Sequence, residues 1–294
     1  MNKIERYIVH IFFLLFVYSC TDKQINEVVN NDPISTDHNS ISVIGWNIEL
    51  FPKMDSYTVS EVADIIKHYS PDILALQEIN SDNEYFDILD GQLENYQGYI
   101  QNNDSWSLAF LYKTDNNFEV ISVTEIYPNN SYAFPRPPLI LHVIWNNDDL
   151  YIINNHFKCC SDGSSFERRV MASQLLDEYI DNFLDDEKVI IIGDLNDSLD
   201  DPDDSNAFLS FVNDPDNYII ADWDIAIGID DYWSFPSYPS HIDHVILTSE
   251  LANIFNNGNS FVETLLIDIE FYNSWNEYDQ MISDHRPMRL VLQP

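Results

Sequence analysis

The sequence predicts a four-layer α/β sandwich, two β-sheets packed face to face with helices outside. Three observations carry that prediction. Apolar runs of strand length recur at 41–47, 73–76, 108–112, 139–144, 150–155, 189–192, 241–247 and 288–292. Helical spacing is rarer: one stretch runs through Val59, Val62, Ala63, Ile66 and Tyr69, another through Ala172, Leu176, Tyr179 and Phe183. Many of the runs, such as Val189-Ile190-Ile191-Ile192, are apolar at every residue, as a strand is when both of its faces are covered. Two packed sheets with helices outside is the simplest arrangement that covers them.

The chain opens on an address. Residues 1–6 carry Lys3 and Arg6, residues 7–18 are apolar except for His10 and a flanking Tyr at each end, and Ser19 and Cys20 follow. That order is an export signal, and its apolar run of about a dozen residues is too short to span a bilayer. The position of Cys20 resembles a bacterial lipoprotein signal, in which the chain is cut before the Cys and the Cys is lipidated. An ordinary secretory signal is the alternative. The resemblance implies a lipid anchor and a membrane-anchored protein of the bacterial envelope, periplasmic or at the cell surface. Residues 21–40 are rich in Asn and Asp, hold Pro33 and lack apolar periodicity, so they read as a flexible tether. The expected division is a signal at 1–19, a tether at 20–40 and a single folded domain at 41–294. A length of 294 residues allows two domains at about 150 residues each. No second linker, repeat or low-complexity stretch separates them.

Inside the domain, Thr58 with Glu61 has capping-box spacing and starts the first helix. Ser70-Pro71-Asp72 stops it. Ser164 with Glu167 repeats that spacing before the second. With 45% hydrophobic and 14% aromatic residues the chain is no disordered protein, and 7 Gly and 3 Cys exclude a collagen or a disulfide framework. Its 13 Lys and Arg against 50 Asp and Glu exclude a broad basic face of the kind that binds nucleic acid by counterion release. A phosphate-bearing ligand would need local cations, a metal and a few placed Arg or Lys. With Cys20 set aside, only the adjacent Cys159 and Cys160 remain, either as a strained vicinal disulfide or as two thiols.

One pattern recurs: apolar strands end in residues able to bind metal or move protons. These are Trp46-Asn47, Gln77-Glu78, Asn155-His156, Asp194 with Asn196, Asp243, and Asp284-His285. Strand ends of α/β folds converge on one rim. A carboxylate after several buried aliphatics costs free energy unless it is paired or holds a cation. By contrast, Asp197, Asp200, Asp201, Asp203 and Asp204 read as a solvated acidic loop, and His241 and His244 as structural.

The blocks Trp46-Asn47, Leu76-Gln77-Glu78, Asn155-His156, Gly193-Asp194-Leu195-Asn196, Ile242-Asp243-His244-Val245-Ile246 and Ser283-Asp284-His285-Arg286-Pro287 come in the order of the endonuclease/exonuclease/phosphatase superfamily, with its deoxyribonuclease I-like fold. The sequence resembles that family over nearly all of residues 41–294. The resemblance implies a metal-dependent phosphoesterase, a phosphodiesterase or nuclease, on two packed mixed sheets. Phospholipid or phosphomonoester phosphatases share that fold, and a non-catalytic surface binding module is a further alternative. The resemblance implies Glu78 as ligand to a divalent metal, Mg²⁺ in the first place and Mn²⁺ or Ca²⁺ as alternatives, with Asn47 and Asp284 completing or hydrogen-bonding that shell. It implies that Asp243 orients His285 as base, with Asp194 as the alternative base, that Asp194 and Asn196 position the water or phosphate, and that His156 stabilises developing charge or protonates the leaving oxygen. Arg136 resembles a family phosphate contact, Arg168 or Arg169 matches another family position, and Lys158 lies close by. Trp106 and Ser107 stand where many members place a Tyr or an acidic partner for His156.

Overall fold

Each sheet of the computed structural model is organised around one parallel pair of strands joined by a helical crossover. The structure describes residues 39–294 apart from 81–83, 103–105, 116 and 257–258, so the expected signal, Cys20 and nearly all of the tether lie outside the described residues. Strand β1 (Ile41–Phe51) leads through α1 (Asp55–Tyr69) to β2 (Ile73–Ile79), followed by α2 (Glu84–Gly91), β3 (Tyr96–Ile100), β4 (Ser107–Lys113), β5 (Phe118–Glu125) and β6 (Leu139–Trp145). Strand β7 (Asp148–His156) leads through α3 (Gly163–Phe183) to β8 (Lys188–Asp194), and β9 (Tyr218–Ile220), β10 (Asp243–Thr248), β11 (Phe261–Thr264) and β12 (Met288–Leu292) complete the sheets. One sheet runs β11-β12-β1-β2-β4-β3 and the other β5-β6-β7-β8-β10-β9. The pairs β1–β2 and β7–β8 are parallel and the other pairs antiparallel, so both sheets are mixed. This is the deoxyribonuclease I-like sandwich that the sequence predicts.

Three apolar layers separate the four structural layers. Val43, Ala75, Leu141, Ile152, Ile190 and Val245 lie between the sheets. Ile44, Leu74 and Leu111 face α1 and α2 with Val59, Val62 and Ile66. Ile153, Ile191 and Ile246 face α3 with Ala172, Leu176 and Ile180. Val43 and Ile44 enter different layers because successive strand side chains point to opposite faces. The continuous apolar runs are thus explained by burial on both sides.

This topology also sets where polar strand ends go. The parallel strands β1, β2, β7 and β8 deliver their C-terminal ends to one rim. The antiparallel β10 and β12 begin there, with Asp243 opposite Asp194 and His285 just before β12. Below the rim the sheets are stitched by amides: Gln77 Nε2 donates to Asn154 Oδ1 at 2.7 Å, and Asn154 Nδ2 donates to the carbonyls of Leu76 and Ala109, both at 3.0 Å.

Both capping boxes are corrected. Helix α1 begins at Asp55, ahead of Thr58. The Thr58 hydroxyl is spent on tertiary structure, accepting from Met54 N and donating to the Met281 carbonyl. Helix α3 is capped by Asp162, whose Oδ1 accepts from Ser164 N and Ser165 N, both at 3.1 Å. A carboxylate two residues earlier wins over the Ser164 hydroxyl because it also answers the positive end of the helix.

Gly193 has no tolerance for a side chain. Its φ is 132°, and a Cβ there would lie 2.2 Å from the Asn155 carbonyl oxygen of the neighbouring strand. At Gly45 the closest atom to a Cβ would be Ile192 Cγ1, at 2.6 Å, a side-chain and not a backbone atom, and Gly45 has no left-handed φ. We expect Gly193→Ala to destabilise by on the order of 3 kcal/mol and Gly45→Ala by less, as measured by urea unfolding. Equal losses would contradict the assignment of backbone strain to Gly193.

Candidate active site

The backbone is bent at this rim to aim side chains inward. Pairing between β2 and β4 shifts register between Leu76 and Ile79, and Glu78 there has φ 61°. Such irregularities re-aim a side chain, and non-glycine residues rarely hold positive φ without a structural reason. Asn196, just past β8, is likewise left-handed at φ 58°.

Asp194 is the hub. Its Oδ2 accepts from Asn47 Nδ2 at 2.9 Å, lies 3.3 Å from His156 Nε2 and lies 3.8 Å from His285 Nε2. Its Oδ1 accepts from Asn196 N at 3.0 Å, while Asn196 Nδ2 donates to the Phe157 carbonyl at 3.3 Å. The Asn47 amide also donates to Glu78 Oε1 at 3.3 Å and so holds two carboxylates side by side. Its Oδ1 is taken by Glu49 N. Glu78 Oε1 lies 3.8 Å from His156 Nε2, and Oε2 accepts from Leu50 N at 3.1 Å. Asp243 Oδ2 holds His285 Nδ1 at 2.7 Å, and Asp284 Oδ1 lies 3.7 Å from His285 Nε2. Asn47, Glu78, His156, Asp194, Asn196, Asp243, Asp284 and His285 therefore meet in one place.

Burial and crowding fix the charges. Burial, with the like charges of Asp243 and Glu78, pushes Asp194 up to about 7 against the pull of His285 and the Asn47 amide. Burial and Glu49 push Asp284 up to about 7. Burial opposes charge on His285, but Asp243, Asp194 and Asp284 outweigh it and raise that ring to about 10. Burial, with Arg136, His285 and Lys158 nearby, keeps His156 well below the usual histidine range and hence neutral.

The donor set fits a hard cation. Four carboxyl groups converge, and the buried Asp243 Oδ1 and His156 Nδ1 have no hydrogen-bond partner among the described residues. Asp194, Asp243 and His285 offer ligand atoms within 4.8 Å of one another. Asp222, His241 and His244 do the same. In that second trio every ring nitrogen is already used. His241 Nε2 and His244 Nδ1 meet Asp222 Oδ2 at 2.9 and 2.6 Å, Ser234 N donates to His241 Nδ1, and His244 Nε2 meets the Asp197 carbonyl. Both His244 nitrogens face acceptors, so that ring is a buried imidazolium paired with Asp222.

Arg136 donates from Nε to the Trp106 carbonyl at 3.2 Å, and its charge is felt by Glu78 and Asp194. Arg169 is buried and structural: it pairs with Asp197 at 2.8 Å and holds the carbonyls of Lys158 and Cys160. Arg168 donates to the Tyr132 and Ser131 carbonyls. Arg286 forms a bidentate pair with Asp268, both bonds 2.8 Å. The Ser107 hydroxyl is buried without a partner among the described residues, so Ser107 supplies no hydrogen bond to His156.

Several supports escaped the sequence reading. Glu49 accepts from Asp284 N at 2.9 Å and pairs with Lys53. Ser283 Oγ donates to the Asn47 carbonyl at 2.6 Å and accepts from His285 N at 2.9 Å. Phe235 packs on His285 with ring centroids 4.8 Å apart. Glu49 stands two residues beyond Asn47 where β1 is irregular, at φ 29°, so strand alternation gives no signal for it.

The sequence model of the Endonuclease/Exonuclease/phosphatase family matches residues 44–285. The chain belongs to that family, whose members hydrolyse phosphate ester bonds. No curated protein matches it in sequence. Among solved structures, D. rerio TDP2 humanized by 14 mutations aligns with TM-score 0.67 at 16% identity, covering 87% of this chain and all of its own (100%). An endonuclease/exonuclease/phosphatase from Bacteroides vulgatus aligns with TM-score 0.62 at 16% identity, over 86% of this chain and 98% of its own. The human Nocturnin catalytic domain with bound sulfate aligns with TM-score 0.61 at 16% identity, over 87% and 94%. At these identities the likeness concerns the fold.

The charges give a stability test without catalysis. Asp194 and Asp284 are raised in the folded state, so their contribution is present at low pH and lost as pH climbs from about 4 through about 7. His285 is raised, so its contribution is full below about 6.5 and lost towards about 10. His156 and His241 are lowered by burial and act oppositely, gaining stability as pH rises towards about 6.5, so metal-free protein should lose melting temperature most clearly from pH 7 to 9. Mg²⁺ should raise it more at pH 8 than at pH 5, and Asp194→Asn should flatten the arm below pH 7. A metal response independent of pH would contradict these charge assignments.

Proposed function

We propose that this chain is an exported, divalent-metal-dependent phosphodiesterase of the nuclease type. The observation that carries the reading is Asp194, a buried carboxyl on which Asn47, Asn196, His156 and His285 converge beside Glu78. Glu78 is the metal ligand, with Asn47 and Asp284 completing its surroundings, and the hard-oxygen donors favour Mg²⁺, with Mn²⁺ or Ca²⁺ as alternatives. When bound, the cation supplies positive charge against the phosphoryl oxygens.

The side chains divide the remaining work. Asp194, raised to about 7, accepts the proton of the attacking water. His285, held charged by Asp243, donates from Nε2 to the phosphate, which favours Asp194 over His285 as the base. Neutral His156 presents Nε2–H beside Asp194 and leaves Nδ1 bare. Asn196 fixes Asp194 from below through its N–H, and Arg136 offers the guanidinium that an anionic substrate needs in so acidic a chain.

A nucleic-acid substrate draws support from D. rerio TDP2, which has been solved with a single-strand DNA product and aligns at 16% identity with TM-score 0.64. The formal charge of −37 disfavours tight binding of a long polyanion. Together with the expected lipid anchor, that charge supports a phospholipid or small phosphate ester as the second reading. No helix among the described residues is long and apolar enough to cross a membrane. The lipoprotein-like order of residues 1–20 supports attachment at Cys20, after cleavage of residues 1–19, with 20–40 as tether and 41–294 as the enzyme.

A chromogenic phosphodiester should be hydrolysed with Mg²⁺ and not with EDTA. Asp194→Asn should lower kcat by about 10²–10⁴-fold. A panel of plasmid DNA, RNA, phospholipid vesicles and phosphomonoesters identifies the substrate. Wild-type turnover in Asp194→Asn, or turnover in EDTA, would overturn the mechanism. Mass spectrometry of the mature protein should find a lipid-modified Cys20 at the N-terminus, and an unmodified Cys20 would remove the anchor.

A further inference from the structure

The segment after β7 carries a feature that phosphate chemistry does not use. Cys159 and Cys160 are both exposed free thiols, and their sulfurs lie 3.0 Å apart. Adjacent side chains in extended backbone point away from each other. Here Cys160 is left-handed, φ 84°, and the two sulfurs turn to one side. Lys158 Nζ sits 3.2 Å from Cys159 Sγ and 3.8 Å from Cys160 Sγ.

We propose that Cys159–Cys160 is a modification site for low-molecular-weight disulfides, a dithiol that undergoes thiol–disulfide exchange at the edge of the active site. Cys159 is the attacking sulfur. Partial burial pushes its thiol up, but hydrogen bonds from Cys160 and Lys158, with Arg136 nearby, hold it below the ordinary range. Cys160 is pushed up by its bond to Cys159 and by burial. In the first step the Cys159 thiolate attacks one sulfur of RS–SR, forming Cys159–S–SR and releasing RS⁻. In the second, Cys160 loses its proton and attacks Cys159 Sγ, forming the Cys159–Cys160 disulfide and releasing a second RS⁻. The two thiols are oxidised, and RS–SR is reduced to two RSH.

The modification has a route to the catalytic residues. Arg169 holds the carbonyls of Lys158 and Cys160 at 2.9 and 2.8 Å and pairs with Asp197, the neighbour of Asn196. Closing the eight-membered ring through the Cys159–Cys160 peptide reshapes the backbone between the two carbonyls that Arg169 holds, and so loads that clamp.

The full chain, reduced and then exposed to oxidised glutathione, tests this by intact mass and peptide mapping. The expected product has lost two hydrogens, with the disulfide at Cys159–Cys160. Cys160→Ser should instead trap one glutathione on Cys159, and Cys159→Ser should react at least about tenfold more slowly at Cys160. Any phosphodiesterase activity should fall on oxidation of the wild type, return with dithiothreitol and stay unchanged in Cys159→Ser. Mass detects the modification whether or not hydrolysis is found, so failure of the proposed function and failure of this inference are separable. Thiols that stay unmodified, equal reactivity of the two single variants, or a stable double glutathione adduct would overturn it.

Discussion

A carboxyl group forced to sit between two packed sheets is the constraint on which the rest of the structure depends. Asp194 ends a strand whose preceding residues are aliphatic, and it is 2% exposed. Left alone it would be neutral and useless. It is surrounded by an amide, two imidazoles and other carboxylates at distances that make every charge in the cluster answer to the others. Groups coupled this closely share their protons, and a cation entering the cluster would redistribute them.

The same logic explains the architecture around it. Gly193 lets β8 approach β7 where any side chain would strike the Asn155 carbonyl. That approach places His156 opposite Asp194 in register. The Gln77–Asn154 bridge ties the sheets just below. Behind the rim, the Asp222–His244 ion pair also meets the Asp197 carbonyl. The residue next to His244 is Asp243, which holds His285. Burying that pair orders the strand and loop on which the reactive groups stand, at the desolvation cost such pairs carry.

Strands buried on both faces announced themselves through continuous apolar runs, and their polar last residues marked the rim. The edge strands did not. β3 and β5 interleave polar residues, and β9 and β11 have only three and four residues, so none of them makes a distinct run. Thr58 and Ser164 have capping-box spacing, but the Thr58 hydroxyl bonds to the Met281 carbonyl from within α1, and α3 is capped by Asp162. Glu49, Ser283 and Phe235 serve the site through bonds and packing that join distant segments. Only folding reveals those contacts. Arg286, inside the Ser283–Pro287 block, is held by a bidentate pair with Asp268 that no local pattern predicts.

The central claim is that these side chains share one cation. An anomalous difference map from a crystal soaked in Mn²⁺ tests it most directly. The account predicts one strong peak within about 2.0–2.4 Å of a Glu78 carboxylate oxygen, beside Asn47 and the Asp194–His285 pair. A peak confined to the acidic loop at 197–204, or to Asp222 and its two histidines, would contradict it.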